Sequence, residues 1–159
     1  MKRDDARAFD PTVSVAALLN TLNNRLSSGA SDLYLRHFGV GINEWRILTV
    51  LCSTSGCTAA YIAARAAIHL TVISRGLRSL QGKGLVDIDR SAWQRLAMPT
   101  AEGRALHDRI AAVALAREHC LLQGLSPAEV DSLRGLLGRL TANVAAVDAY
   151  APEGGAASS

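Results

Sequence analysis

Within residues 58–85 the apolar and polar positions are spaced in a way that few folds accommodate. Ile62 and Ala63 lie on the inner side of a short helical stretch, and a break follows at Ala66 and Ala67. Leu70, Ile73, Leu77 and Leu80 then recur at alternating steps of three and four. Those steps place all four on one face of a second helix and predict a single buried stripe. The opposite face carries Thr71, Val72, Arg75, Arg78 and Ser79, with Ser74 on the flank and His69 at the start as a capping or phosphate-facing group. Gly84 after Lys83 ends the helix with a residue that tolerates positive φ. Two short strands follow, 85–88 and 95–98, with 89–94 between them as a tip.

Helix, tight turn, helix and hairpin in that order make a helix-turn-helix with a wing. An apolar back and a front of Thr, Ser and Arg suit the major groove of duplex DNA. Arginine forks onto guanine or phosphate, hydroxyls reach phosphates and bases, and a Val methyl meets thymine. The pattern names Thr71, Val72, Ser74, Arg75 and Arg78 as candidate DNA contacts from the helix, and Arg90 and Arg95 from the wing. The competing reading is an amphipathic surface helix whose arginines only keep it solvated.

Charge distribution favours DNA. The chain carries a formal +3, yet residues 65–95 alone hold six basic side chains against two acidic ones, so the remainder is slightly acidic. A basic patch doubled in a dimer attracts phosphate and makes binding steeply salt-dependent. The 159 residues suffice for one domain or two small lobes sharing long helices, with a core of Leu, Val and Ala, since only 4% of residues are aromatic. The longest wholly apolar run, residues 110–116, is far short of the roughly 20 residues a membrane span needs. The first residues lack the apolar stretch of a secretory signal, and three cysteines without framework spacing read as reduced thiols, so a cytoplasmic location is expected.

Long helices flank the winged segment. Asp10-Pro11 is the expected start of the first, in which Val15, Leu19, Leu22, Leu26, Gly29 and Leu33 form a heptad-like seam ending near His37. Asn43 is the expected cap of a second helix over 44–52 that buries Trp45, Leu48 and Leu51. Thr100 caps a helix over 101–123, which Gly124 stops. Ser126-Pro127-Ala128-Glu129 is a capping box opening a last helix, whose Val130, Leu133, Leu137, Leu140, Val144 and Val147 repeat the heptad spacing. The predicted architecture is mainly α with a small β-hairpin wing. A winged lobe at 43–99 sits between helical dimerisation segments at 11–37 and 101–148, and 1–9 and 151–159 are expected to be disordered tails. Two apolar seams flanking a small lobe predict a homodimer, whose two-fold symmetry matches a pseudo-palindromic site. The alternative is a monomeric bundle with both seams internal.

Five segments in this order and spacing resemble the MarR (multiple-antibiotic-resistance regulator) family. They are Glu44-Trp45-Arg46-Ile47-Leu48, Ser74-Arg75-Gly76-Leu77-Arg78-Ser79-Leu80, Lys83-Gly84-Leu85-Val86, Thr100-Ala101-Glu102-Gly103-Arg104 and Gly124-Leu125-Ser126-Pro127-Ala128-Glu129. The resemblance spans roughly residues 12–148. Its departures are local: Ala67 stands where the family usually has Gly, Leu70 where a polar residue is common, and the wing is about three residues short. The wing's usual Asp-x-Arg signature is blurred into Asp89-Arg90-Ser91-Ala92-Trp93-Gln94-Arg95, leaving open which arginine enters the minor groove. The resemblance implies a dimeric repressor on an operator that overlaps a promoter, released by a small aromatic or anionic ligand. That ligand binds where the dimerisation helices meet the DNA lobes and alters the distance between the recognition helices. The residues available there are Tyr34, Arg36, His37, Trp45 and Arg46. Their alternative is structural, with Trp45 in the core and Arg46 paired to Glu44 or Asp32.

Other chemistry finds little support. Glu118-His119-Cys120 and His107-Asp108 are adjacent pairs that diverge around a helix, and no nucleophile motif, phosphate loop or metal spacing is present, so neither an enzyme nor a metal or organic cofactor is expected. Thiol sensing would use Cys57, just before a helix start, with Cys52 buried. A dimeric helical interaction protein with a winged shape and no DNA binding is the remaining alternative.

Overall fold

The computed structural model describes residues 10, 12–54, 56–89 and 95–150. The tails, the wing tip with Arg90 and Trp93, and the proposed helix start at Pro11 lie outside them. The elements are α1 (Val15–Phe38), α2 (Ile42–Cys52), α3 (Ala59–Ala66), α4 (Leu70–Gly82), β1 (Val86–Asp89), β2 (Leu96–Pro99), α5 (Ala101–Leu121), α6 (Pro127–Ala142) and α7 (Val144–Asp148). The mainly helical, winged architecture read from the sequence is the one observed. The chain divides after Ala114 into two compact units, and the boundary falls inside α5.

In the first unit the core gathers Tyr34 from α1, Val40, Ile47, Leu48 and Leu51 around α2, Ile62 from α3, Ile73, Leu77 and Leu80 from α4, Val86 from β1, and Leu106 and Ile110 from α5. Each fully buried aliphatic side chain contributes about 1.5–3 kcal/mol relative to exposure, so this cluster is what holds the lobe. The strands pair antiparallel, Val86 opposite Pro99 and Asp89 opposite Leu96. An isolated bridge between Cys57 and Ala97 ties the α2–α3 connection to the outer side of β2. Gly103 lets α5 start hard against the wing's entry, since a Cβ there would collide with the Leu85 carbonyl.

Several local expectations change. The turn at Asp10 does not open α1: its carboxylate accepts from the Thr12 N–H (2.8 Å) and hydroxyl (2.7 Å), and Ser14 caps the helix instead. Helix α2 begins at Ile42, with Glu44 accepting from the Gly41 N–H at 2.8 Å, so Asn43 is not its cap. Leu70, placed in the buried stripe of α4, is 48% exposed, because it is the first residue of the helix and lies beyond the edge of the core. Cys57 is buried rather than accessible, drawn in by its bridge to Ala97, and its thiol lies 3.6 Å from the Thr54 hydroxyl. Cys52 is only partly buried, and that burial raises its thiol pKa despite nearby Arg104.

The second unit holds the end of α5, then α6 and α7. Gly124 (φ +89°) ends the turn after α5. Ser126 and Glu129 form the predicted capping box, the Ser126 N–H donating to the carboxylate at 2.7 Å and the Glu129 N–H to the hydroxyl at 3.4 Å. The single last helix expected from the spacing is broken at Asn143 into α6 and α7. None of the described residues of this unit is fully buried.

Candidate nucleic-acid interface and effector cleft

Helix α4 is fixed at its start, back and end. His69 caps it, its Nδ1 accepting from the Thr71 N–H at 3.3 Å. Ile73, Leu77 and Leu80 are buried, and Gly76 lets the helix approach α2 so closely that a Cβ would strike the Ile47 side chain. At the far end Lys83 donates to the Gly39 carbonyl (2.8 Å) and to Glu44 Oε1 (2.7 Å). Burial pushes the Glu44 carboxyl pKa up, but hydrogen bonds from Lys83, Ser79 and the Gly41 N–H outweigh it, and with the Lys83 charge they hold the carboxyl below its ordinary value. The clasp joins the recognition helix to the α1–α2 connection. It was not anticipated from the sequence, because its partners are 39 residues apart.

With the back held this firmly, the front is what faces outward. Thr71, Arg75 and Arg78 are exposed, and Val72 and Ser74 partly so. Arg78 donates through Nε to the Ser74 carbonyl at 3.3 Å, which orients its guanidinium along the helix. Ser74 and Arg78 meet Arg95, from the start of the second wing strand, around a depression of ≈ 200 Å³ floored by Leu77, Ile88 and Ala97. Recognition helix and wing thus contribute arginines to one surface. Arg75, Arg78 and Arg95 make no ion pair with another described residue, so their charge is free to meet phosphate or base edges.

The five residues proposed for an effector separate. Tyr34 is buried, its ring meeting Trp45 edge-on at 5.4 Å and Phe38 at 6.4 Å. Arg36 is exposed and folds back onto the Asp32 carbonyl (3.2 Å), and His37 is exposed beside Phe38. Trp45 and Arg46 line a cleft of ≈ 530 Å³ together with Asn23, Thr49, Arg65 and Ala67. Arg46 pairs with neither Glu44, which is taken by Lys83, nor Asp32. Arg65, Thr49 and Asn23 escaped the sequence reading. Arg65 stands 19 positions from Arg46, and only the packing of α3 on α2 brings them to one cleft.

A family model described as the MarR family matches residues 38–92. Among solved structures, the chain is similar to a MarR/EmrR family transcriptional regulator from Acinetobacter sp. ADP1, with 29% identity and a TM-score of 0.80, over 86% of this chain and 98% of that one. It shares its fold with BpsR of Bordetella bronchiseptica, solved to explain how 6-hydroxynicotinic acid regulates that protein's DNA binding (19% identity, TM-score 0.74, 84% and 98% covered). It also shares its fold with MepR of S. aureus, solved in complex with DNA (19%, TM-score 0.73, 85% and 99%). No curated protein matches.

Proposed function

Since the chain belongs to the MarR family of winged-helix transcriptional regulators, we propose that it works as a homodimeric cytoplasmic repressor. Each copy lays α4 in the major groove of one operator half-site. Arg75 grips a base, Thr71, Val72, Ser74 and Arg78 support it, and Arg95, with Arg90 of the wing, approaches the minor groove. The observation that carries this reading is the convergence on one lobe surface of Arg78 from α4 and Arg95 just before β2, neither ion-paired with another described residue. Exposed apolar residues on α1 (Val15, Leu18, Leu19, Leu22) and α6 (Leu133, Leu137, Leu140) supply the faces a second copy covers. MepR was solved on DNA and BpsR responds to an aromatic acid, which supports a small anionic aromatic effector here. A ligand releases DNA only if it prefers the lobe arrangement that does not fit the duplex.

Band shifts on the promoter upstream of its own gene test the DNA reading. Affinity falls by about 10³–10⁵ between about 50 and about 200 mM salt if some 6–10 phosphates are contacted. Arg75→Ala weakens the operator by ~1–3 kcal/mol while leaving random DNA nearly unaffected. If no genomic fragment shifts, the chain is a helical interaction protein that keeps the winged shape.

A further inference from the structure

We propose that Leu70 is a specificity-determining residue, which reads the C5-methyl group of one thymine in each operator half-site. This deepens, and rests on, the reading of α4 as the helix that enters the major groove. Periodicity assigns Leu70 to the buried stripe, yet Ile73, Leu77 and Leu80 are at most 6% exposed whereas Leu70 is 48% exposed. It does not belong to the apolar shell that packs on the core, and it is the one large apolar side chain of α4 that stands exposed. A lone exposed leucine is ordinary on a protein surface; what singles this one out is its place. As the first residue of α4, it occupies the end of a recognition helix whose side chains reach base edges. His69 caps that turn by accepting from the Thr71 N–H (3.3 Å), which fixes the backbone that carries Leu70.

Residues four apart on a helix lie about 40° apart around it, so Leu70, Ser74 and Arg78 form one ridge. Ser74 and Arg78 are the two that meet Arg95 of the wing. The ridge is therefore apolar at its first position, polar at its second and cationic at its third. Arg75 and Arg78, neither ion-paired with another described residue, draw phosphates to this face and hold the helix in the groove. Among donors and acceptors, the major-groove edges of the base pairs offer one apolar group, the thymine methyl. The Leu70 side chain has no donor or acceptor, so that methyl is the base feature it can bind. Set over a polar edge instead, it strips water from donors and acceptors without replacing their hydrogen bonds. Leucine at this position thus rewards thymine and penalises the other bases. Val72 lies about 160° round the helix from Leu70 and cannot share the same methyl.

The test uses the full chain and the segment of its promoter that it protects in a footprint, made with deoxyuridine in place of one thymine at a time. That swap removes the methyl and leaves every donor and acceptor in place. At one thymine per half-site it weakens binding about fourfold, and at the symmetric pair roughly fifteenfold, as burial of one methyl-sized group requires. In Leu70→Ala the same swap makes no difference, whereas Val72→Ala keeps the full penalty at that thymine. The urea midpoint and assembled mass of Leu70→Ala stay unchanged, because the side chain lies off the core and alanine favours a helix. Neutral swaps at every thymine, or a penalty that survives in Leu70→Ala, overturn the inference. So does a Leu70→Ala variant that loses affinity with its midpoint or mass altered and the thymine-to-deoxyuridine ratio kept, since Leu70 then serves the fold or the assembly. A chain that footprints its promoter and gives one of these outcomes loses only this inference, whereas one that protects no DNA loses the parent reading with it.

Discussion

In the unit that ends at Ala114, Tyr34, Ile47, Leu48, Leu51, Ile62, Ile73 and Leu80 are at most 2% exposed, whereas beyond Leu115 the stripe Leu133, Leu137 and Leu140 stands 38–43% exposed. The first unit closes its core within one chain. The second is held by local devices: the Ser126–Glu129 box, and the Arg134 contacts to Asp131 (3.4 Å) and Glu118 (3.9 Å) at its surface. Surface ion pairs contribute about 0–1 kcal/mol, and helical stability in proteins comes mostly from packing of an apolar face, which α6 leaves exposed. The contrast teaches that one region closes its own core, whereas the other leaves an apolar stripe open, the face that the proposed dimer would cover.

The largest effect is expected where the proposed association is struck. Leu137→Lys puts a charge into the stripe, and an unpaired buried charge costs about 3–5 kcal/mol. Light scattering should then report the mass of one chain. Operator affinity should fall at least a hundredfold, because a single half-site remains, while the lobe keeps its melting transition. A variant that retains twice the chain mass would show that this stripe is not the interface.

Gly103→Ala strikes the other side of the comparison. Its new Cβ meets the Leu85 carbonyl, which is backbone and also accepts from the Thr100 N–H at 3.1 Å, so it cannot swing aside. Overpacking of this kind costs about 1–3 kcal/mol. The urea midpoint should drop accordingly with the assembled mass unchanged. A lowered mass with an unshifted midpoint would mean that the two regions are not independent in the way their burial suggests.

How much of this was legible in the sequence follows from the range of each interaction. Caps at His69, Thr100 and Ser126 were readable because the side chain bonds an N–H at most three residues away. The stripe of α4 was readable from period alone, except at Leu70, where periodicity continues past the point at which the core ends. Asp10 misled because its carboxylate closes its own turn onto Thr12 before a helix can start. Cys57 misled because its burial depends on β2, forty residues away, rather than on its neighbours. In the candidate site, the arginines of α4 could be placed outward from their own helix. The gathering of Arg46 and Arg65 at one cleft is a consequence of α2–α3 packing, on which single-helix periodicity is silent.

The smallest effect tests whether the lobe's rigidity extends to the aim of its recognition helix. The Glu44 carboxyl, 15% exposed, is held below its ordinary pKa by the Lys83 clasp and the Ser79 and Gly41 donors. A depressed folded-state value means that the clasp is fully formed above the ordinary carboxylate range, about 4.3, and is lost as pH falls through the lower folded value. Lys83 is 37% exposed, so solvent screening limits the pair to about 1 kcal/mol. Glu44→Gln should therefore lower stability at neutral pH by that small amount and flatten part of the decline on acidification, read from urea midpoints at neutral and acid pH. Asp10 and Glu129 also have lowered values, but both are bonded only within their own turns. An unchanged acid slope in Glu44→Gln would show that the clasp contributes nothing to the decline. A flattened slope would instead tie the end of α4 to the α1–α2 connection as one unit.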